Sequence, residues 1–198
     1  MVGAISEALG LSQTEANLRM LEALDQAQDG GSRPSLYGTT LALGVPDELI
    51  EKWQLREMKP EQCLKRDATL RESICKLRRY ARTALLTNSR RSIAERILQS
   101  IGLDNDLFDA ILAGEELQQA KPSPHDLERL VHLAGGEIAD GIAIGDRWAV
   151  DLEPAQNLGM QILHVAGRDE VVEWLMQEVS RLETDQTESK ESKGPGSH

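Results

Sequence analysis

Apolar residues fall at helical spacing through the first third of the chain and in short strand-like runs after it. Ile5, Leu9, Leu18, Leu21 and Leu24 recur near a 3.6-residue period, so 4–28 reads as helix, with Ser12 capping a second segment. Gly30-Gly31-Ser32-Arg33-Pro34 breaks the pattern, and a short segment follows at 36–43. Pro46 and Asp47 open another helix, which runs through Leu49, Ile50 and Trp53 to about Met58. Nothing in residues 1–62 reads as a buried strand.

Beyond Leu64 the pattern alternates. A helix at 68–80 leads into Thr83-Ala84-Leu85-Leu86-Thr87-Asn88, an apolar run with a polar end, and a helix at 90–101 closes at Gly102. A short strand is expected at 108–112 and a helix at 124–133 that stops at Gly135-Gly136. A second strand is expected at 141–144, a helix near 148–158, a strand at 161–165 and an amphipathic helix at 169–182. Strand–helix alternation of this kind implies an α/β fold, a parallel sheet covered by helices. The chain therefore divides into a helical region at 1–64, an α/β core at 65–182 and a Glu/Ser/Lys/Thr-rich tail at 183–198 expected to be disordered.

Composition narrows the class. The 198 residues are 40% apolar but only 3% aromatic, so the core rests on Leu, Ile, Val and Ala. A formal charge of −11 argues against nucleic-acid binding. Between Lys65 and Arg96, however, ten basic residues stand against three acidic ones. This run reads mainly as a solvated basic helix face, with a positive field near Thr87 as its functional alternative. Cys63 and Cys75 show no CxxC spacing and read as reduced thiols, no stretch is long and apolar enough to span a membrane, and the expected compartment is the cytoplasm.

Chemistry gathers at strand ends. Ligands of open parallel sheets bind beyond the carboxyl ends of the strands. Thr87-Asn88 occupies such an end just before a helix, where a hydroxyl and backbone N–H groups suit a phosphoryl oxygen. Gly145-Asp146 holds the corresponding place on a later strand, where a carboxylate suits Mg²⁺, and Asp151 follows five residues on. Lys121, before Pro122, offers a cation for a dianionic ester. The plainer alternatives are N-capping for Thr87, helix-start acids for Asp146 and Asp151, and a surface loop lysine for Lys121. Arg147 reads as a helix-start arginine, Trp148 as a packed residue, and Glu115-Glu116 as a solvated loop. His125, His132 and His164 lack zinc-site spacing.

Taken together, the run from Leu85 to Gly167 resembles the haloacid dehalogenase superfamily, in its phosphatase-like branch with a helical cap. Thr87-Asn88 resembles the second family motif, Lys121-Pro122 the third, and Gly145-Asp146 with Asp151 the fourth. The resemblance implies a Rossmann-like sheet with an N-terminal helical cap and Mg²⁺-dependent hydrolysis of small phosphate monoesters. It implies that Thr87, Asn88 and Lys121 hold the phosphoryl group, that Asp146 binds Mg²⁺, and that Asp151 anchors the metal's water shell or Lys121.

It also implies a first motif, an apolar strand ending Asp-x-Asp, whose first aspartate attacks phosphorus and whose second is the acid and base. That strand would lie between those ending at Thr87 and Asp146, and this sequence has none. Asp104-Asn105-Asp106 has the spacing but follows a helix. An earlier start, a rearranged sheet or a strand from another chain would account for the gap, and an earlier start is favoured. The expected function is a phosphatase-like hydrolase inactive as written. The alternatives are a non-catalytic interaction protein whose slot takes a partner's strand or a second copy, and a halide-removing enzyme.

Overall fold

The computed structural model describes residues 1–26, 36–117 and 123–191. Four helices make up the first part: α1 (Val2–Leu9), α2 (Gln13–Gln26), α3 (Leu36–Ala42) and α4 (Asp47–Glu57). The break at Gly30–Pro34 lies outside the described residues. Ser12 begins α2 as expected: its hydroxyl accepts the Glu15 N–H at 3.3 Å, while the Glu15 carboxylate accepts the Ser12 N–H at 2.9 Å. Ala4, Ile5, Ala16, Met20, Val45 and Ile50 close around one another, with Trp53 against them, as the core of this helical unit.

A single turn, α5 (Pro60–Cys63), leads to α6 (Ala68–Leu77), and from there strands and helices alternate: β1 (Ala84–Leu86), α7 (Arg91–Ile101), β2 (Ala110–Leu112), α8 (Pro124–Leu133), β3 (Ile142–Gly145), α9 (Glu153–Asn157), β4 (Gln161–His164) and α10 (Arg168–Glu191). β1 pairs in parallel with β2, Leu85 opposite Ile111, and β3 pairs in parallel with β4, Ile144 opposite Leu163. The parallel pairing is as expected, in two separate two-stranded ladders, and among the described residues β1 and β3 do not hydrogen-bond to each other. A two-stranded pair alone is marginal in water, so helices must hold the two together.

They do so on two sides. α6 precedes β1 and α10 follows β4, and the two helices pack through Leu77, Leu175 and Val179, with Ile74, Val171 and Trp174 beside them. α8 lies against β1, β2 and α9, reaching the second ladder from the first. An ion pair fixes the α6–α10 contact at one end. Asp67 caps α6 by accepting the Leu70 N–H at 3.0 Å, and Arg168 at the start of α10 donates Nε and Nη2 to the same carboxylate, each at 2.6 Å.

Two elements differ from the sequence reading. The helix expected at 148–158 is a π-helical turn, Trp148–Leu152, followed by α9. Pro154 has no N–H to return to the preceding turn, so a regular helix cannot run through it. α10 continues past Leu182 to Glu191, where a disordered tail is expected. Arg181 pairs with Glu178 and Asp185 on its flanking turns, and Thr184 Oγ1 donates to the Ser180 carbonyl at 3.0 Å, so local contacts carry the helix onward. No described helix is long and apolar enough to cross a membrane.

The basic run from Lys65 to Arg96 is largely paired rather than merely solvated. Arg71 meets Asp104 at 2.8 Å, Lys76 meets Glu72 at 2.8 Å, and Arg78 and Arg82 both reach Asp109, at 3.2 and 3.1 Å. Asp109 also accepts the Thr83 N–H at 2.9 Å, tying the approach of β1 to that of β2. Burial works against its charge, but the Thr83 N–H and the two guanidinium groups outweigh it and hold the carboxyl below its usual range.

The α6 cap gives a pH-dependent prediction. The Arg168 hydrogen bonds, then the Leu70 N–H, lower the Asp67 pKa from 3.8 to about 2. Its stabilising contribution is therefore complete above pH 3.8 and is lost as the pH falls through about 2. Urea denaturation at pH 7 should show Asp67→Ala losing about 1–2 kcal/mol. Asp67→Asn, still able to cap, should lose less, and both differences from the unsubstituted chain should shrink across that acid window.

Candidate active site

Thr87 and Asn88 leave the carboxyl end of β1 as the sequence requires. The Thr87 N–H donates to the Leu112 carbonyl at 3.0 Å, extending the ladder by one residue before the chain turns. The Thr87 hydroxyl oxygen accepts the Ser89 N–H at 3.1 Å, a local turn that hands the chain to α7. The loop after β2 presses against this turn. Gly114 donates its N–H to the Ser89 carbonyl at 2.9 Å, and a Cβ at Gly114 would lie 2.4 Å from the Asn88 carbonyl oxygen. Only glycine allows that approach. The Asn88 Oδ1 is buried and has no hydrogen-bond partner among the described residues.

The start of α7 is already supplied with negative charge. Both carboxylate oxygens of Glu115 accept the Arg91 N–H at 3.1 Å, and Glu116 pairs with the Arg91 side chain while accepting the Ala113 N–H at 2.9 Å. Glu115 and Glu116, read from sequence as a solvated loop, therefore fold onto the helix terminus, where the dipole favours a carboxylate. A phosphoryl group at Thr87-Asn88 would share that terminus with Glu115.

The second half of the site sits on β3. Asp151 packs directly over Gly145, where a Cβ would stand 2.6 Å from the Asp151 Cβ, so the glycine is required for the turn to close. The Asp151 carboxylate accepts the Arg147 N–H at 3.1 Å and pairs with the Arg147 guanidinium at 3.1 Å. Asp146 projects outward, 70% exposed, and its carbonyl contacts His164 Nε2 at 3.1 Å. Trp148, expected to pack, is 48% exposed on the outer side of the π-helical turn.

The structure thus assembles Thr87 with Asn88 at one strand end and Asp146 with Asp151 at another, on different ladders that share no hydrogen bond. Lys121 and Pro122 lie outside the described residues. Asp104 caps and Asp106 lies within a 3₁₀ turn between α7 and β2, not at the carboxyl end of a strand. No group of three or more His, Cys, Asp or Glu side chains among the described residues is arranged to hold a metal ion. Asp146 fits a hydrated Mg²⁺, which keeps most of its waters and takes few protein ligands. Asp151, engaged by Arg147 through both oxygens, does not fit as a direct ligand in this arrangement.

Arg147 gave one legible sign, its spacing of four from Asp151. Glu115 and Gly114 gave none, because their partners lie more than twenty residues away.

A model of the haloacid dehalogenase-like hydrolases matches residues 12–159, most of the chain. The chain belongs to that family. Among curated relatives it is 37% identical over 101 residues to haloacid dehalogenase-like hydrolase domain-containing protein 3 of Bos taurus, covering 51% of this chain and 38% of that protein. It is 33% identical over 81 residues to a plasmid-borne phosphoglycolate phosphatase of Cupriavidus necator, covering 41% and 34%. The chain therefore spans little more than a third of either relative. A haloacid dehalogenase phosphatase of known structure from Thermococcus onnurineus superposes with a TM-score of 0.54 at 20% identity, covering 83% of this chain and 74% of that one. This likeness confirms the fold, a helix-rich α/β architecture with short parallel ladders.

Because Gly114 sets the spacing of the two loops, Gly114→Ala should force the Asn88 carbonyl aside. A loss of roughly 1–3 kcal/mol in urea denaturation is expected, with amide resonances of residues 87–89 shifted most.

Proposed function

We propose that this chain is the phosphoryl-holding portion of a Mg²⁺-dependent phosphatase of small phosphorylated metabolites, and that by itself it does not turn such substrates over. The observation that carries this reading is Thr87-Asn88 at the carboxyl end of a parallel strand and the start of α7, with Gly145-Asp146 at the corresponding end of β3. Similarity to phosphoglycolate phosphatase supports a small phosphate monoester as the substrate class.

In this reading the Thr87 hydroxyl and the Asn88 N–H hold the phosphoryl oxygens, and Lys121 neutralises the dianion. Asp146 is the residue that would hold Mg²⁺, which supplies charge neutralisation at phosphorus when bound. Arg147 keeps Asp151 folded under the turn. None of the four described strands runs into an Asp-x-Asp sequence; they lead into Thr87, Ala113, Asp146 and Val165. In this reading no described strand presents an attacking carboxylate, so the chain by itself forms no phosphoaspartate. The exposed free thiols of Cys63 and Cys75 are consistent with a cytoplasmic setting.

A second reading has its own support. β1 and β3 each use one edge for pairing, and Ile142 and Ile144 of β3 are 36% and 38% exposed. Free strand edges beside apolar side chains suit the addition of a strand. In this reading the chain is a non-catalytic or regulatory partner whose free edges take a strand from another protein or a second copy.

Aryl phosphate hydrolysis with Mg²⁺ should stay at background for the chain alone, and saturable turnover would overturn the first reading. Inorganic phosphate, followed by amide shifts of residues 87–90, should bind weakly. Glu115→Ala should tighten that binding about three- to fivefold by releasing the start of α7. An unchanged affinity would place the anion elsewhere. Light scattering separates the second reading, which requires a stoichiometric complex or dimer.

A further inference from the structure

The strand end that carries Asp146 already holds a cation of its own. Arg147 leaves β3 in an extended conformation, and the π-helical turn Trp148–Leu152 then brings Asp151 back over Gly145. Val150 and Leu152, on either side of Asp151, are buried, so apolar neighbours anchor the turn. The Asp151 carboxylate, by contrast, is directed at Arg147. Its Oδ2 accepts the Arg147 backbone N–H at 3.1 Å and Nε at 3.4 Å, and its Oδ1 accepts Nη2 at 3.1 Å. The same Nε stands 3.9 Å from Asp146 Oδ1. One guanidinium therefore faces both carboxylates of the strand end.

This arrangement bears on a divalent ion in two ways. Mg²⁺ needs near-octahedral oxygens and gives up its waters reluctantly, so a carboxylate already held by a fork of donors is a poor ligand for it. Asp151 is 23% exposed with both oxygens engaged, whereas Asp146 is 70% exposed and lies at the edge of the guanidinium's reach. Asp146 is thus the carboxylate of the pair open to a hydrated ion. The second effect is charge. Asp146 and Asp151 bring two negative charges and Arg147 returns one positive, so a dication at Asp146 stands beside a like charge.

We infer that Arg147 is a built-in cation of this strand end, one that takes Asp151 for itself and holds the affinity of the Asp146–Asp151 pair for Mg²⁺ low. The inference rests on Asp146 being the carboxylate that would hold the ion, and goes further by naming the residue that sets how tightly. The turn itself does not need the guanidinium. The Arg147 backbone N–H reaches Asp151 whatever side chain stands at 147, and the Asp151 N–H donates to the Arg147 carbonyl at 2.8 Å. Charge can therefore be removed at 147 with the backbone kept in place.

Mg²⁺ titrations of the full chain at constant ionic strength, followed by the amide shifts of residues 145–151, test this, with Mn²⁺ line broadening to locate the ion. The unsubstituted chain should bind weakly, with broadening centred on Asp146. Arg147→Gln should tighten binding about fivefold, the effect of removing a unit positive charge a few ångströms from an exposed dication. It should also bring the Asp151 amide into the broadened set. Arg147→Lys keeps the charge and should stay near the unsubstituted chain. Arg147→Gln combined with Asp151→Asn should lose the gain, and Asp146→Asn should abolish binding in every background. An affinity unchanged in Arg147→Gln, or no binding by that variant, overturns the inference. So does an equal gain in Arg147→Lys, or a gain that survives Asp151→Asn. Binding that persists in Asp146→Asn overturns the assignment of Mg²⁺ to Asp146, and the inference with it. Circular dichroism checks the fold, and should Arg147→Gln fail to fold, Arg147→Met takes its place.

Discussion

The rest of this structure depends on how two short parallel ladders, unpaired with each other, are kept in one unit. A parallel pair three or four residues long cannot stabilise itself, and parallel strands normally persist only when buried by helices on both faces. Here the helices act as the fastening. α6 and α10 stand at opposite ends of the α/β sequence yet share one apolar seam through Leu77, Leu175 and Val179. Burying a side chain of that size contributes about 1.5–3 kcal/mol, so a few such residues outweigh any exposed ion pair in the molecule. The Asp67–Arg168 pair adds direction more than energy, setting where along α6 the start of α10 lies.

Electrostatics has a second part in the design. The chain is acidic overall, but its arginines are concentrated where elements distant in sequence must meet. Asp109 gathers Arg78, Arg82 and the Thr83 N–H at the entry to β1 and β2. Glu115 and Glu116 gather the backbone and side chain of Arg91 at their exit. The first ladder is thus clamped at both ends by carboxylates. The second ladder has no comparable clamp among the described residues, and its β3 face leaves Ile142 and Ile144 partly in solvent. The asymmetry has a plain cause. Only the first ladder lies beside the basic run.

How much was legible in the sequence follows from the range of the forces involved. Helix starts at Ser12 and Pro46-Asp47 and the strand run into Thr87 are set by neighbours within a few residues, so periodicity and capping chemistry located them. The split of 148–158 turns on Pro154, whose missing N–H is itself a local signal. The extension of α10 past Leu182 rests on Arg181 and Thr184 contacts within one turn, which composition alone masks as a polar tail. Arg90 with Asp47, Arg91 with Glu116 and Arg78 with Asp109 were not legible, since one charged pair among many cannot be chosen without the fold. The free edges of β1 and β3 were anticipated by the resemblance, which called for a strand between them that the sequence lacks.

The same reasoning explains why the site is divided. In a continuous sheet, a central strand holds its two neighbours at fixed separation, about 4.7–4.9 Å from each, so loops at their carboxyl ends converge on one ligand. Here Thr87 and Asp146 are each fixed within their own ladder, by the Leu112 carbonyl and by the turn over Gly145, but not to one another. Each strand end is held by local contacts, while the distance between the two depends on helix packing, which tolerates shifts that a hydrogen-bonded ladder does not. Phosphoryl chemistry demands placement within a fraction of an ångström. A strand that hydrogen-bonded to both β1 and β3 would therefore do two things at once: fix the separation of the two half-sites and bring whatever side chain stands at its carboxyl end between them. In this fold, sheet continuity would set the spacing of the two strand-end loops.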